Sequence, residues 1–201
     1  RGFMAQASAL ATIAAAKAAF PGGAFAQAAG PEVKGTKLGY IALTDAAPLV
    51  IAKEKGFYAK HGVPDMDIAK QASWGATRDN MALGSEGNGI DGAHILTPMP
   101  YLMTAGAITQ NAQKVPMYLL ARLNLDGQGI SVARDYAGLK LGADASPLKQ
   151  AFAAKRAAGK DAIAAMTFPG GTHDLWIRYW LAAGGIDPDK DIQLITVPPP
   201  Q

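Results

Sequence analysis

The stretch AIAAMTFPGGTHDLWIRYWLAAGGIDPDKDIQLITV, residues 162–197, predicts a strand, a helix and a second strand in succession. The apolar run at 162–168 indicates the first strand, and Pro169 with the two glycines after it predicts a turn. Helical spacing of apolar residues then extends over 172–183, before a glycine pair that is typical of a helix end. A second apolar run follows at 192–197. This order is typical of a parallel sheet in an α/β protein.

The turn of this unit is a candidate anion site, because Thr172 and His173 fall in the first turn of the predicted helix. Unpaired backbone N–H groups and the positive end of the helix dipole favour negative charge there. The alternative is structural: Thr172 caps the helix and His173 is a satisfied polar neighbour. The aromatic residues Trp176, Tyr179 and Trp180 recur at helical spacing, and we expect them to pack the helix on its sheet.

The preceding sequence continues the pattern of short apolar runs and capped helical segments. Further strands are predicted at 37–43, 65–70, 90–96, 116–123 and 139–143. The predicted helix caps are Asp45, Ser73 and Ser146, and a short helix is predicted at 98–105.

A glycine-rich segment at 124–129 separates two such α/β regions. We therefore predict a first lobe at 30–126 and a second lobe at 127–201. The chain reaches Pro198-Pro199-Pro200-Gln201 directly after a strand, without a helix to cover it. We expect it to be cut short within the second lobe.

The first 29 residues differ in composition and predict an export signal. They contain no acidic residue, are rich in alanine and end in the small-residue pattern Ala26-Gln27-Ala28-Ala29. The opening Arg1-Gly2-Phe3-Met4 resembles the end of a twin-arginine export motif. Polar residues interrupt the apolar stretch, so it predicts export rather than a transmembrane helix. Arg1 and Lys17 supply two of the three net positive charges of the chain.

The remaining composition argues against several classes of function. Cysteine is absent, which excludes disulfides, thiolate metal sites and a cysteine nucleophile, and we expect no lipid anchor. A clustered basic face is missing, so nucleic-acid binding has no support. The common nucleophile, phosphate-loop, zinc and dinucleotide motifs do not occur either, and no cofactor or metal site is predicted. His61 is expected at a helix end, and His94 as a hydrogen-bonded residue of the core.

Two further loops repeat the logic of the Thr172 turn. Trp74 lies at a predicted helix start after a strand, where its indole N–H can donate to an anion; packing of the first helical turn is the alternative. Gln128 lies between two glycines at the predicted lobe boundary, where a hinge with a surface glutamine is the alternative.

Five stretches carry a family resemblance, and they cover nearly all of 37–201: LTDAAPL (43–49), KQASWG (70–75), DGAHILTPMPY (91–101), NLDGQGISV (124–132) and 168–191. Together they resemble the nitrate- and bicarbonate-binding proteins of bacterial ABC importers. The resemblance implies a two-lobed type II periplasmic-binding-protein fold that closes on its ligand at a hinge.

The resemblance also implies the ligand-binding residues Trp74, Gln128 and His173, with Thr172 and Thr44 as weaker neighbours. A further family position, a lysine in nitrate binders and an acidic, calcium-linked residue in bicarbonate binders, would lie beyond residue 201. The residues present suit either anion, because they supply donors from several sides.

We therefore expect a periplasmic solute-binding protein for nitrate, with nitrite as a second ligand. Its partners would be the membrane permease and ATPase subunits of an ABC importer. The alternatives are a bicarbonate-binding protein of the same family and a nitrate-sensing regulatory protein. An enzyme that uses His173 as acid or base is disfavoured, since no second titratable group converges on it in the sequence.

Overall fold

The structure, a computed structural model, describes residues 30–125 and 127–199. The predicted export signal at 1–29 lies outside the described residues, as do Asp126 at the predicted lobe boundary and residues 200–201.

Three parallel strands form the first sheet in the order β2-β1-β3. They are β1 (Lys37–Tyr40), β2 (Asp67–Lys70) and β3 (Gly92–Ala93), each within a predicted strand. Gly39 of β1 lies close to Ile90, since a Cβ at Gly39 would be 2.5 Å from Ile90 Cδ1. The central strand therefore packs closely against the segment that leads into β3.

Four α-helices belong to this half of the chain: α1 (Ala47–Glu54), α2 (Phe57–Lys60), α3 (Trp74–Leu83) and α4 (Pro98–Ala105). Short 3-10 turns occur in the same half at Thr44–Ala46, Ser85–Gly87 and Gln110–Ala112. A further 3-10 turn, Arg134–Leu139, precedes the elements of the second sheet.

Of the three predicted helix caps, one caps its helix with its side chain and two do not. Ser73 is confirmed as the cap of α3, since its Oγ accepts the Ala76 N–H at 3.0 Å. The prediction for Asp45 was wrong: it lies within a 3-10 turn, and its carboxylate pairs with His94 instead. Ser146 lies at the predicted N-cap position, but its side chain accepts no hydrogen bond from the helix backbone. Its hydroxyl instead donates to the charged Asp144 carboxylate two residues earlier, at 2.7 Å.

The second sheet contains the strand-helix-strand unit that the sequence predicted. After α5 (Pro147–Ala157), β4 (Ile163–Met166) pairs in parallel with β5 (Gln193–Thr196), and α6 (Thr172–Ala183) connects them. The bounds of α6 agree with those predicted.

Two predicted strands were wrong. Residues 116–123 form no strand, and Tyr118 and Leu120 are 85% and 96% exposed. Within residues 30–125 and 127–199 no strand runs beside this segment, and an apolar run without a partner has no hydrogen-bond ladder. The strand predicted at 139–143 is replaced by the end of a 3-10 turn, after which Lys140 adopts φ +50°.

Two apolar clusters make up the core. The cluster of the second sheet comprises Ala145, Leu148, Phe152, Ala162, Ile177, Leu181, Ile186 and Ile192. The cluster of the first sheet comprises Ile41, Trp74, Leu96, Met99 and Phe168. Phe168 follows β4 of the second sheet, so its side chain joins the two halves.

Only one residue of the aromatic stripe of α6 packs as predicted: Trp180 is half-buried against the cluster of the second sheet. Trp176 and Tyr179 are 48% and 78% exposed, whereas Ile177 and Leu181 are buried in the second cluster. Two apolar stripes lie one residue apart on this helix, and the aliphatic one faces the sheet. Among residues 30–125 and 127–199, no helix has the length and apolar character needed to span a membrane.

Candidate functional site

The three strands of the first sheet end beside one another, and each is followed by a polar or aromatic residue of the candidate site. Asp45 follows β1, Trp74 follows β2 and His94 follows β3. Carboxyl ends of parallel strands meet at one edge of a sheet, which is where open α/β sheets bind ligands. These three side chains form the first wall of the site.

Trp74 is completely buried at the start of α3. Its ring packs with Phe168 and meets the His94 imidazole edge to face, with the ring centroids 5.4 Å apart. The packing alternative is therefore confirmed for the ring, and donation to an anion stays a prediction for its Nε1, which has no hydrogen-bond partner.

Asp45 and His94 form a pair across the strand ends. Asp45 Oδ2 lies 2.9 Å from His94 Nε2, while Asp45 Oδ1 and His94 Nδ1 are buried without partners. The backbone carbonyl of Asp45 accepts from Asn124 Nδ2 at 2.9 Å, which ties the connecting segment to this wall. The prediction that His94 is a hydrogen-bonded core residue is confirmed.

The second wall comes from the connecting segment and the start of α6. Gln128 Nε2 donates to Thr172 Oγ1 at 2.7 Å and lies 3.4 Å from His173 Nδ1. Thr167, at the end of β4, places its Oγ1 2.8 Å from the same Nδ1. The structure thus brings together Gln128, Thr172 and His173, which the sequence proposed from two separate stretches.

Hydrogen bonds fix the tautomer of His173. Burial lowers the pKa of this imidazole, and the negative charge of Asp45 opposes that shift in part. The neutral form is therefore favoured, and its Nδ1 accepts from the Gln128 amide and the Thr167 hydroxyl. The proton then lies on Nε2, which is available to donate to a ligand.

The two walls face one another across a close contact between the two halves of the chain. A Cβ on Gly171, immediately before α6, would lie 2.8 Å from Leu96 Cδ1 of the first half. The Arg78 guanidinium lies 5.7 Å from the centre of the Phe168 ring, and Phe168 itself contacts the Trp74 cluster. Since Asp45 also acts electrostatically on His173, the polar groups of both walls share one electrostatic environment.

Unpartnered polar atoms are concentrated at this place. Among the residues that the structure describes, four buried side-chain atoms lack a hydrogen-bond partner: Asp45 Oδ1, Trp74 Nε1, His94 Nδ1 and Gln128 Oε1. All four belong to the two walls. Each orphaned buried polar group costs about 1–3 kcal/mol, so a cluster of them indicates a site built for a polar ligand.

Gln128 and His173 also border a cavity of about 480 Å³ beside β4. Its other walls are mainly apolar, from residues such as Phe152, Ile177 and Leu181. Polar side chains of the lining include Gln128, Thr167 and His173. Within the described part of the chain, no group of three or more His, Asp or Glu residues is placed to hold a metal ion.

Sequence reasoning did not identify every member of the cluster. Thr44 lies exposed at the start of its 3-10 turn, and its neighbour Asp45 reaches the cluster instead. Asp45, His94 and Thr167 were not proposed as site residues. The available signal was their shared position just after the three strands β1, β3 and β4.

The chain is similar in sequence to a known protein family and to anion-binding proteins. The model of the NMT1-like family matches residues 29–201. The chain is 65% identical over 171 residues to the nitrate/nitrite binding protein NrtA of Synechocystis sp. (strain ATCC 27184 / PCC 6803 / Kazusa), covering 85% of this chain and 37% of that relative. It is 53% identical over 168 residues to the bicarbonate-binding protein CmpA of Synechococcus elongatus, covering 83% of this chain and 37% of that relative.

A solved structure agrees with these matches. The crystal structure of the periplasmic nitrate-binding protein NrtA from Synechocystis PCC 6803 superposes with a TM-score of 0.79 at 64% identity, covering 85% of this chain and 43% of that chain. The predicted resemblance and the predicted type II binding fold are confirmed. The chain spans about two fifths of the length of the curated relatives that it matches.

Proposed function

We propose, on the premise that this chain belongs to the NMT1-like family, that it is part of a periplasmic solute-binding protein for nitrate, with nitrite as a second ligand. The anion would lie between the wall of Trp74 and the wall of Gln128, Thr172 and His173. Membrane permease and ATPase subunits of an ABC importer would receive it. The process is capture and release, and no covalent step is required.

The observation that carries this proposal is that orphaned polar atoms of both walls lie together. Trp74 Nε1 is a donor as it stands, and Gln128 Oε1 marks a position that the amide nitrogen reaches when the amide turns. Proteins satisfy nearly all buried polar groups, so orphans confined to one cluster point to a missing polar partner. A ligand held there would contact both halves of the chain. Closure around it would then be stabilised by the hydrogen bonds that the free protein lacks.

The donors needed for a planar anion are present. Trp74 Nε1 supplies one N–H and the neutral imidazole of His173 supplies another at Nε2. Rotation of the Gln128 amide would turn its Nε2 toward the orphaned side, while the Thr172 hydroxyl would donate to the displaced Oε1. Thr167 alone would then donate to His173 Nδ1 and keep the His173 proton on Nε2. We keep Thr44 as a proposed neighbour of the anion, at the exposed side of the first wall.

Bicarbonate is the second candidate, and one specific observation favours it. Asp45 Oδ1 is a buried acceptor without a donor, and bicarbonate carries an O–H whereas nitrate does not. We assign nitrate rather than bicarbonate because the chain is 65% identical to the nitrate/nitrite binding protein and 53% identical to the bicarbonate-binding protein.

Calorimetric titration of the complete protein, as its gene encodes it, tests the assignment. We expect binding heat from sodium nitrate, and none from bicarbonate at the same concentration with or without calcium. Binding of bicarbonate with calcium alone would overturn nitrate as the ligand.

The variant His173→Ala tests the site. It should weaken nitrate binding about 10- to 150-fold, since one charge-assisted contact is worth about 1.5–3 kcal/mol. An unchanged dissociation constant would remove His173 from the site. His61→Ala is the matched control, because His61 lies exposed at the end of α2.

A further inference from the structure

Trp176 of α6 does not point toward the sheet that its helix covers. The next residue, Ile177, is buried in the cluster of the second sheet, and successive side chains of an α-helix are rotated by about 100°. Trp176 instead shares a face of the helix with Thr172 and His173, which lie four and three residues before it. The ring therefore belongs to the side of α6 that forms the second wall.

The ring of Trp176 packs against the backbone of the connecting segment. A Cβ added at Gly127 would lie 3.0 Å from Cη2 and 3.3 Å from Cζ3 of Trp176, two atoms at the outer edge of the indole. Carbon atoms in ordinary contact are about 3.5–4.0 Å apart, so these separations are too short for a side chain. The glycine thus provides the space in which the edge of the ring lies against the main chain.

This contact is made immediately before Gln128. The Gln128 amide donates to Thr172 Oγ1 at 2.7 Å and lies 3.4 Å from His173 Nδ1. Trp176 belongs to the same helix as these two partners, and Gln128, His173 and Trp176 border the same cavity. One rigid element therefore contacts both the amide and the backbone that carries it.

The amide needs such support because of its neighbours in sequence. Gln128 lies between two glycines, Gly127 and Gly129, and glycine has more backbone freedom to lose than any other residue. A ligand group that must be ordered during binding lowers the affinity, whereas one that is held in advance does not. Ordering the backbone of a single residue would weaken binding about 5- to 30-fold.

We propose that Trp176 is a positioning residue of the anion site, whose ring packs on Gly127 and holds the connecting segment so that the Gln128 amide faces Thr172 and His173. This inference rests on the proposed function and adds a residue that does not touch the anion. Trp176 acts on the ligand only through Gln128.

A purely structural tryptophan would behave differently. If Trp176 only stabilised the fold, its loss would affect nitrate binding in the same way whether or not Gln128 is present. If it positions the amide, the effects of the two side chains on affinity are coupled, and a double-mutant cycle measures that coupling.

Calorimetric titration of the complete protein with sodium nitrate measures the first effect. Trp176→Ala should weaken nitrate binding about 5- to 30-fold. Trp176→Phe lacks the outer ring atoms of the indole and should weaken binding in the same direction but less. Tyr179→Ala is the matched control, because Tyr179 is an exposed aromatic residue of the same helix, and it should leave the affinity unchanged. Urea unfolding shows which variants are folded.

The cycle is completed by Trp176→Ala in a Gln128→Ala background. Without the amide the tryptophan should no longer matter, so the added substitution should change the nitrate dissociation constant by less than about twofold. Equal weakening in both backgrounds would overturn this inference alone. A folded Trp176→Ala or Trp176→Phe that binds nitrate as tightly as the natural protein would do the same. Absence of nitrate binding in the natural protein would overturn the proposed function and this inference together.

Discussion

Replacing Trp74 by phenylalanine should separate ligand binding from folding. The indole is completely buried, yet its Nε1 has no partner in the ligand-free structure. The substitution therefore removes an orphaned donor that costs about 1–3 kcal/mol when it stays unpaired. It also removes ring atoms from the core, with a packing loss of similar size, about 1–3 kcal/mol. The free energy of unfolding of the ligand-free protein should change by less than about 1 kcal/mol.

Binding should respond differently, because the same N–H is proposed to donate to the anion. Loss of a hydrogen bond to a charged acceptor is worth about 1.5–3 kcal/mol, which corresponds to about a 10- to 150-fold weaker dissociation constant. Calorimetric titration with nitrate measures the constant, and urea unfolding without ligand measures stability. Trp74→Phe should therefore bind nitrate more weakly than the natural protein but unfold with nearly the same free energy.

Trp180→Phe is the matched control, since this indole donates to the Gly142 carbonyl at 3.0 Å. Loss of this hydrogen bond, together with the ring atoms that pack against the cluster of the second sheet, should lower the free energy of unfolding by about 1–3 kcal/mol and leave nitrate affinity unchanged. The reasoning is refuted if Trp74→Phe binds nitrate as tightly as the natural protein, or if both variants lose stability equally without an effect on affinity.

Three further predictions concern positions that support the site. Thr172→Val removes the acceptor of the glutamine amide at 2.7 Å, and titration should show about two- to tenfold weaker nitrate binding. Gly171→Ala places a Cβ 2.8 Å from Leu96 Cδ1 and 3.1 Å from the Phe168 carbonyl oxygen, and backbone cannot move aside as easily as a leucine side chain. Urea unfolding should show a loss of about 1–3 kcal/mol, whereas Gly129→Ala, with open space around it, should show none. The pKa of Asp91 is lowered chiefly by the backbone N–H at the start of β1, so its stabilisation is present at neutral pH and lost as pH falls below the ordinary value of 3.8. Asp91→Asn should therefore lower unfolding free energy at pH 7, and the difference from the natural protein should shrink in acid.

Local pattern was sufficient to predict the helices and paired strands. The segment from β4 to β5 has a strand, a glycine turn, a helix and a strand whose signals agree, and α6 begins and ends where predicted. The segment 116–123 has a strand-like pattern but no neighbour to pair with among the described residues, and pattern alone does not reveal the neighbour.

Side-chain direction was harder to predict. In α6 the aromatic and aliphatic stripes differ by one residue, so helical spacing could not distinguish the face that meets the sheet. Asp45 was predicted as a helix cap because caps are local, whereas its partner His94 lies 49 residues away. Gln128, Thr172 and His173 were proposed from loop chemistry and family resemblance, and their mutual contacts emerge only from the fold.

The most direct test of the site is the Trp74 indole resonance in the complete protein labelled with 15N-tryptophan. The signal is assigned by its absence in Trp74→Phe and followed by NMR as sodium nitrate is added. Because the free indole N–H has no partner, nitrate binding should move its proton resonance downfield and slow its exchange with water, while the bonded Trp180 indole stays unchanged. A Trp74 signal that does not move when the protein is saturated with nitrate would contradict the proposed site.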